Sequence, residues 1–234
     1  MKASHLTRLA GAMALLAGSA QAAEVTVTVE NLTRGTYFTP LLVAAHTESA
    51  SLFMPGQAAS AALQAMAEGG DISGLSSSLE SLGATQSNNP AGGLLIPGAK
   101  TTTTLNTDGT GNTHLSLVGM LLPTNDGFLA LNAEPLPTAA GTYTYYAKAW
   151  DAGTEANNEV RGSGAPGESG FPVPPPLEAE IGTGGTGLNA TAEGFVHIHR
   201  GVLGDTDLTG GNSDIQSTQH RWLNPVAKIT VTIR

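Results

Sequence analysis

Two stretches near the ends of the chain alternate apolar and polar residues with a period of two. From Glu24 to Glu30, Val25, Val27 and Val29 fall on one side and Thr26, Thr28 and Glu30 on the other; from Ala227 to Ile233, Ala227, Ile229, Val231 and Ile233 share a side. Successive side chains of an extended strand point to opposite faces, whereas a helix repeats every 3.6 residues, so both stretches read as half-buried strands. A sheet whose first and last strands are neighbours is the simplest fold that uses them.

The residues between continue the β pattern with one interruption. Tyr37 to Ala44 reads as a second strand with Pro40 at an edge or bulge. Gln57 to Ala67 is rich in Ala, Leu and Met and stops at Gly69-Gly70, which predicts a helix with a C-terminal glycine. Asp71 or Ser73 can cap a second short helix with Leu75, Leu79 and Leu82 on one face. Strands resume over Thr101–Leu105 and Thr113–Leu122, joined by a turn with the hairpin dipeptide Asp108-Gly109, then over Phe128–Asn132 and Thr142–Trp150. Residues 157–194 hold Pro172, Pro174, Pro175 and Pro176 and many glycines, and predict a long irregular loop. Gly194 to Arg200 reads as a strand. The expected fold is therefore mainly β, an antiparallel β-sandwich with two short inserted helices.

Lys2 and Arg8, the apolar run Leu9–Ala17 and the small residues of Ala20-Gln21-Ala22 predict a cleaved secretory signal over residues 1–22, leaving residues 23–234 as the folded domain. The apolar run is too short to span a bilayer, and no other stretch has the length for one. A secreted or periplasmic address follows. The chain has no cysteine, so disulfides cannot staple an exported fold, and a bound ion is one substitute. Two of the ten basic residues lie in the signal, so the net charge of −9 becomes −11 without it. Nucleic acid and anionic membranes call for clustered Lys and Arg and are poor partners for such a chain.

That acidic balance suits a cation. Leu121 to Phe128 and Ala149 to Glu155 each combine an apolar approach with a turn that carries carboxylate. If the two turns meet, Asp126, Asp151 and Glu155 offer three carboxylates to one ion. Flexible loop oxygens suit Ca²⁺ better than Mg²⁺, with Asn125 and backbone carbonyls completing the shell. The alternative is turn chemistry, in which Asp and Asn bond their own backbone without any ion. Gly204 to Asp214 also places acids at calcium-loop spacing but has Gln216 where the bidentate glutamate belongs, so a solvated turn is the better reading.

The stretches Leu122-Pro123-Thr124-Asn125-Asp126-Gly127-Phe128, Trp150-Asp151-Ala152-Gly153-Thr154-Glu155 and Asn224-Pro225-Val226-Ala227-Lys228-Ile229-Thr230-Val231, in this order, resemble the N-terminal spondin domain, in particular its bacterial secreted members. The resemblance covers nearly all of the chain beyond the signal. It implies a C2-like, spondin-type β-sandwich used for adhesion or binding, with calcium held by Asp126, Asp151 and Glu155. Two positions depart from the family pattern: Gly127 stands where an aromatic residue often follows the first aspartate, and Glu155 where animal members carry aspartate.

His197 and His199 flank Ile198 on a predicted strand and so share a face, about 6–7 Å apart at their bases. With a third ligand from His46, His114, His220 or Glu193 they could hold Cu or Zn; otherwise they are the polar side of a solvent-facing edge. Catalytic signatures are missing: there is no nucleophile elbow around Ser169, no His-Glu-x-x-His and no phosphate loop. Trp150 and Trp222 are stacking platforms for a sugar or core residues. The expected function is a non-catalytic calcium-binding module for an unidentified protein or glycan ligand, with a copper or zinc protein as the alternative.

Overall fold

The computed structural model describes residues 24–234; the signal expected over residues 1–22 lies outside the described residues. Ten strands form in chain order: β1 (Glu24–Asn31), β2 (Tyr37–Phe38), β3 (Leu42–His46), β4 (Thr85–Asn88), β5 (Lys100–Asn106), β6 (His114–Leu122), β7 (Gly127–Pro135), β8 (Gly141–Asp151), β9 (His197–Ile198) and β10 (Ala227–Ile233). Helices α1 (Ala61–Gly69) and α2 (Ser73–Ser81) precede β4, and a short α3 (Ser217–His220) precedes β10. The sheet runs β4-β3-β6-β7-β8-β10-β1-β5, with β2 on β6 and β9 on β8. Every pairing of these strands is antiparallel. Its two ends approach each other, with Thr103 Oγ1 donating to Ser87 Oγ at 2.9 Å, so the sheet folds over on itself and nearly closes around one core.

The alternating termini do what their pattern requires. β1 and β10 pair from Val25↔Ile233 to Asn31↔Ala227, and Val25, Val27, Val29, Ile229 and Val231 are all at most 1% exposed. Burying each such side chain contributes roughly 1.5–3 kcal/mol. A one-residue slip in register would turn that entire set to solvent.

The two inserted helices are present. Ser60 Oγ accepts from Leu63 N at 3.1 Å at the start of α1. At its end Gly70 adopts φ 74, with Gly70 N donating to Met66 O and Asp71 N to Ala65 O. This paired closure needs a left-handed residue, which glycine adopts without steric cost. Leu63, Met66 and Ala67 face the core, as do Leu75 and Leu79 of α2. Leu82, expected on that same face, follows the helix and is 55% exposed.

Three expectations need correction. Tyr37–Ala44 is not one strand: the chain breaks at Pro40 into β2 and β3, and Thr39 Oγ1 accepts from Met120 N at 2.9 Å in the gap. The Asp108-Gly109 turn forms, with Asn106 Oδ1 accepting from Asp108 N, yet it does not close a hairpin. β5 pairs with β1, while β6 lies between β3 and β7. Burial decides this: β6 is buried at every position from Leu115 to Leu122 and must lie inside the sheet, whereas β5 has one buried residue and belongs at an edge. The strand expected over Gly194–Arg200 shortens to His197–Ile198.

The long loop is irregular and also packed. Phe171, Leu177 and Ile181 are buried. Glu159, at φ 58, accepts from Leu203 N, Gly204 N and Ser213 Oγ at 2.6, 2.7 and 2.9 Å. Asp214 accepts from Arg161 N and Gly185 N, each at 2.8 Å. These carboxylates use backbone amides and the Ser213 hydroxyl as donors in place of the regular ladder that the loop lacks. The Gly204–Asp214 turn closes on itself, with Asp205 accepting from the amides of Asp207, Asn212 and Ser213, in agreement with the solvated-turn reading.

Candidate metal centre

The two acidic turns meet because β7 and β8 are paired. Asp126 immediately precedes β7, Asp151 ends β8, and Gly127 and Asp151 are cross-strand partners. Thr124 closes the first turn, its hydroxyl donating to Leu121 O at 2.6 Å and accepting from Gly127 N at 3.0 Å. The second turn depends on Gly153, at φ 67. A Cβ there would stand 2.3 Å from Phe195 O, so only glycine lets the segment before β9 come this close. Gly194 N then donates to Gly153 O at 2.8 Å. The Asn224-Pro225 stretch joins the same end, with Ala149 N donating to Asn224 Oδ1 at 2.6 Å.

Asp126 is fully buried. Its Oδ2 accepts from Thr154 N at 2.8 Å and Glu155 N at 3.2 Å, while Oδ1 has no hydrogen-bond partner. Burial, then repulsion from Asp151 and Glu155, pushes its pKa up to about 7. Glu155 is 7% exposed; its Oε1 accepts from Asn125 Nδ2 and Gly170 N, and its Oε2 is likewise unpartnered. Burial raises its pKa as well. Asp151, raised by burial, accepts from Gly153 N on Oδ1 and from Asn157 Nδ2 on Oδ2. Among the described residues no Lys or Arg pairs with any of the three.

A desolvated carboxylate oxygen without donor or counter-charge is costly, and a hard cation is the species that two such oxygens and a neighbouring aspartate suit. The three acids therefore fit calcium by their chemistry, but among the described residues their ligand atoms do not all lie within 4.8 Å of one another, so an ion would have to draw the turns together. Asn125 does not fit the ligand role expected for it: its Nδ2 donates to Glu155 and Asn158 and its Oδ1 accepts from Glu159 N. It orients Glu155.

The histidines separate into two roles. Ile198 is 44% exposed and His199 only 4%, the reverse of a strand with both imidazoles facing out. The two-residue β9 is too short to impose alternation beyond itself. His197 Nδ1 lies 3.0 Å from Ile198 O, a group that can only accept, so Nδ1 carries the proton and Nε2 of the neutral ring keeps its lone pair. His199 has the opposite tautomer. Its Nδ1 accepts from Gly201 N at 2.9 Å, so Nε2 carries the proton and is not a free ligand. Burial drives its pKa down to about 3. Its ring fills the space beside Gly127, where a Cβ would stand 2.9 Å from His199 Cδ2 and 2.7 Å from Thr124 Oγ1; this accounts for the missing aromatic residue at position 127.

Asp151, Glu193 and His197 have ligand atoms that all lie within 4.8 Å of one another. Of the third ligands considered from sequence, Glu193 is the one that arrives. His46 bonds Ser116 Oγ and Thr47 O, His114 bonds Thr113 Oγ1, and His220 bonds Gly35 O. Asn157, which holds Asp151, carried no signal in the sequence beyond its type. Trp150 packs edge-on against Phe53 and Trp222 lies against the His199 ring.

A mainly antiparallel β domain, with acids and an imidazole gathered on the loops at one end, defines a class of β module built around a polar loop cluster. The chain belongs to the spondin N-terminal domain family, whose profile (Spondin_N) matches residues 30–166. That span holds Asp126, Asp151 and Glu155; Glu193, His197, His199 and strand β10 lie beyond it. No curated protein matches the chain. Among the described residues no helix is long and apolar enough to cross a membrane.

Proposed function

We propose that this protein is a secreted or periplasmic binding module whose loops are organised by one calcium ion, and that it acts by adhesion without catalysing a reaction. The observation that carries the reading is the fully buried Asp126, whose Oδ1 has no partner while Asp151 and Glu155 stand close enough to raise its pKa. A divalent cation would turn Asp126, repelled by Asp151 and Glu155, into the centre of a cross-link between the turn before β7, the end of β8 and the loop that follows. The residues contributed by these acids bond amides, an arrangement that positions loops and activates no nucleophile. The contact surface for a protein or glycan includes the long loop, where Pro172, Val173 and Pro174 line an open cleft with Thr39, Pro40 and Leu122.

Calcium titration of tag-free, metal-stripped protein tests this. One calcium per chain is expected, with the unfolding temperature rising as calcium is added; at 100 times Kd the gain is about 2.7 kcal/mol. Magnesium, smaller and reluctant to leave its water, should give much less. Absence of binding heat together with an unchanged unfolding temperature would refute the reading.

A further inference from the structure

A second cluster adjoins the three acids without belonging to them. His197 Nε2 lies 3.4 Å from Asp151 Oδ1 and 3.7 Å from Glu193 Oε2, and it is sealed from solvent with no hydrogen-bond partner. In a tetrahedral zinc site, bonds of about 2.0–2.2 Å put neighbouring ligand atoms about 3.3–3.6 Å apart. The first separation matches that edge length and the second exceeds it by about 0.1 Å, while the Asp151–Glu193 edge is within 4.8 Å. On the inner side His199, 4% exposed, aims a second unpartnered ring nitrogen at Asp151, with Nε2 3.9 Å from Oδ2. The side chains of His197 and Glu193 are 27% and 32% exposed, so the cluster borders solvent although His197 Nε2 itself is covered.

We propose that His197 Nε2, Glu193 Oε2 and Asp151 Oδ1 form a second metal site, for a transition-series dication of the zinc type, separate from the three-acid centre and sharing only Asp151 with it. One imidazole and two carboxylates are a donor set for zinc more than for calcium, which prefers oxygen alone. The Ile198 carbonyl fixes the ring through Nδ1–H, as backbone carbonyls do for metal-bound histidines elsewhere. His199 takes no part as a ligand; its Nε2–H lies 3.9 Å from the other oxygen of Asp151, which is held instead by Asn157 Nδ2 at 2.8 Å. The site does not depend on calcium being the ion of the neighbouring centre.

The test is a zinc titration of tag-free protein, run on calcium-free and calcium-loaded samples. One zinc per chain is expected in both, with affinity weakened about 100-fold or more in His197→Ala and about 10-fold or more in Glu193→Gln. His114→Ala should bind as the native chain does, and circular dichroism should show each variant folded. In the native protein, zinc should move the ¹⁵N resonance of His197 Nε2 and leave His199 Nε2 protonated. Zinc binding unaltered by His197→Ala, no binding at micromolar zinc, or a metal-induced change confined to His114 would overturn the proposal. Because calcium-free protein is included, a failure of the calcium reading leaves this result separately legible.

Discussion

Asp126→Asn is expected to change stability in opposite directions depending on calcium. In metal-free protein at pH 8 the substitution should stabilise the fold by about 1–3 kcal/mol, because it removes a buried charge repelled by Asp151 and Glu155. The asparagine oxygen can still accept from Thr154 N and Glu155 N, and its amino group replaces the orphaned Oδ1 with a donor facing carboxylates. With saturating calcium the order should reverse, since the native protein gains the binding energy of the ion and the variant loses most of it. Thermal unfolding of both proteins, with and without calcium, reads the crossing directly. A variant destabilised equally under both conditions would assign Asp126 to turn chemistry alone.

In metal-free protein the Asp126 carboxyl should remove stability as pH rises from about 4 to about 7, read as the native chain minus Asp126→Asn. The difference is the quantity to read because the buried His199, with its pKa driven down to about 3, gives both chains an opposite slope below about pH 6.5. Asp126 has its folded pKa raised to about 7 from an ordinary value of 3.8, so between those values the folded state holds a proton that the unfolded state has released. Stability then falls with increasing pH, and the penalty is complete above the folded pKa. Below pH 4 both states are protonated and the penalty vanishes. A shift of this size corresponds to at most about 4 kcal/mol; Asp151 and Glu155, also raised, act in the same direction. Calcium should invert the slope, because acid then competes with the ion for the same oxygens. Calorimetric scans of the native chain and Asp126→Asn from pH 4.5 to 8 test this, and a native-minus-variant difference that climbs towards pH 7 in metal-free protein would contradict it.

The readable parts of the fold were those with a strong local period. The valines of β1 and the Ile/Val series of β10 fix a strand, a buried face and, through it, a register. The Ser60 cap and Gly70 closure bound α1. Pairing partners were less readable: Asp108-Gly109 makes the turn it should, but where its strands go depends on how much of each must be buried, which is a property of the whole sheet. β4, with no fully buried residue, has no apolar pattern to announce it.

The acidic centre was legible as types and spacing because Asp126 and Asp151 stand at the ends of paired strands. The histidine site was legible only as a pair. Its division came from two features that spacing does not encode: the carbonyl at Nδ1 of His197 and the amide at Nδ1 of His199. Glu193 and His197 stand four residues apart in one segment, and that segment reaches Asp151 through the close approach of Gly153 to Phe195, a contact between segments about forty residues apart.

Anomalous diffraction from a crystal of the calcium-saturated protein decides the matter most simply. One strong peak, with Asp126 Oδ1, Glu155 Oε2 and an oxygen of Asp151 at about 2.3–2.6 Å from it, is the expected outcome. Density in which Asp126 Oδ1 shares a proton with Asp151, or bonds a water and no ion, would contradict the calcium assignment and leave the three acids as turn builders in a spondin-type fold.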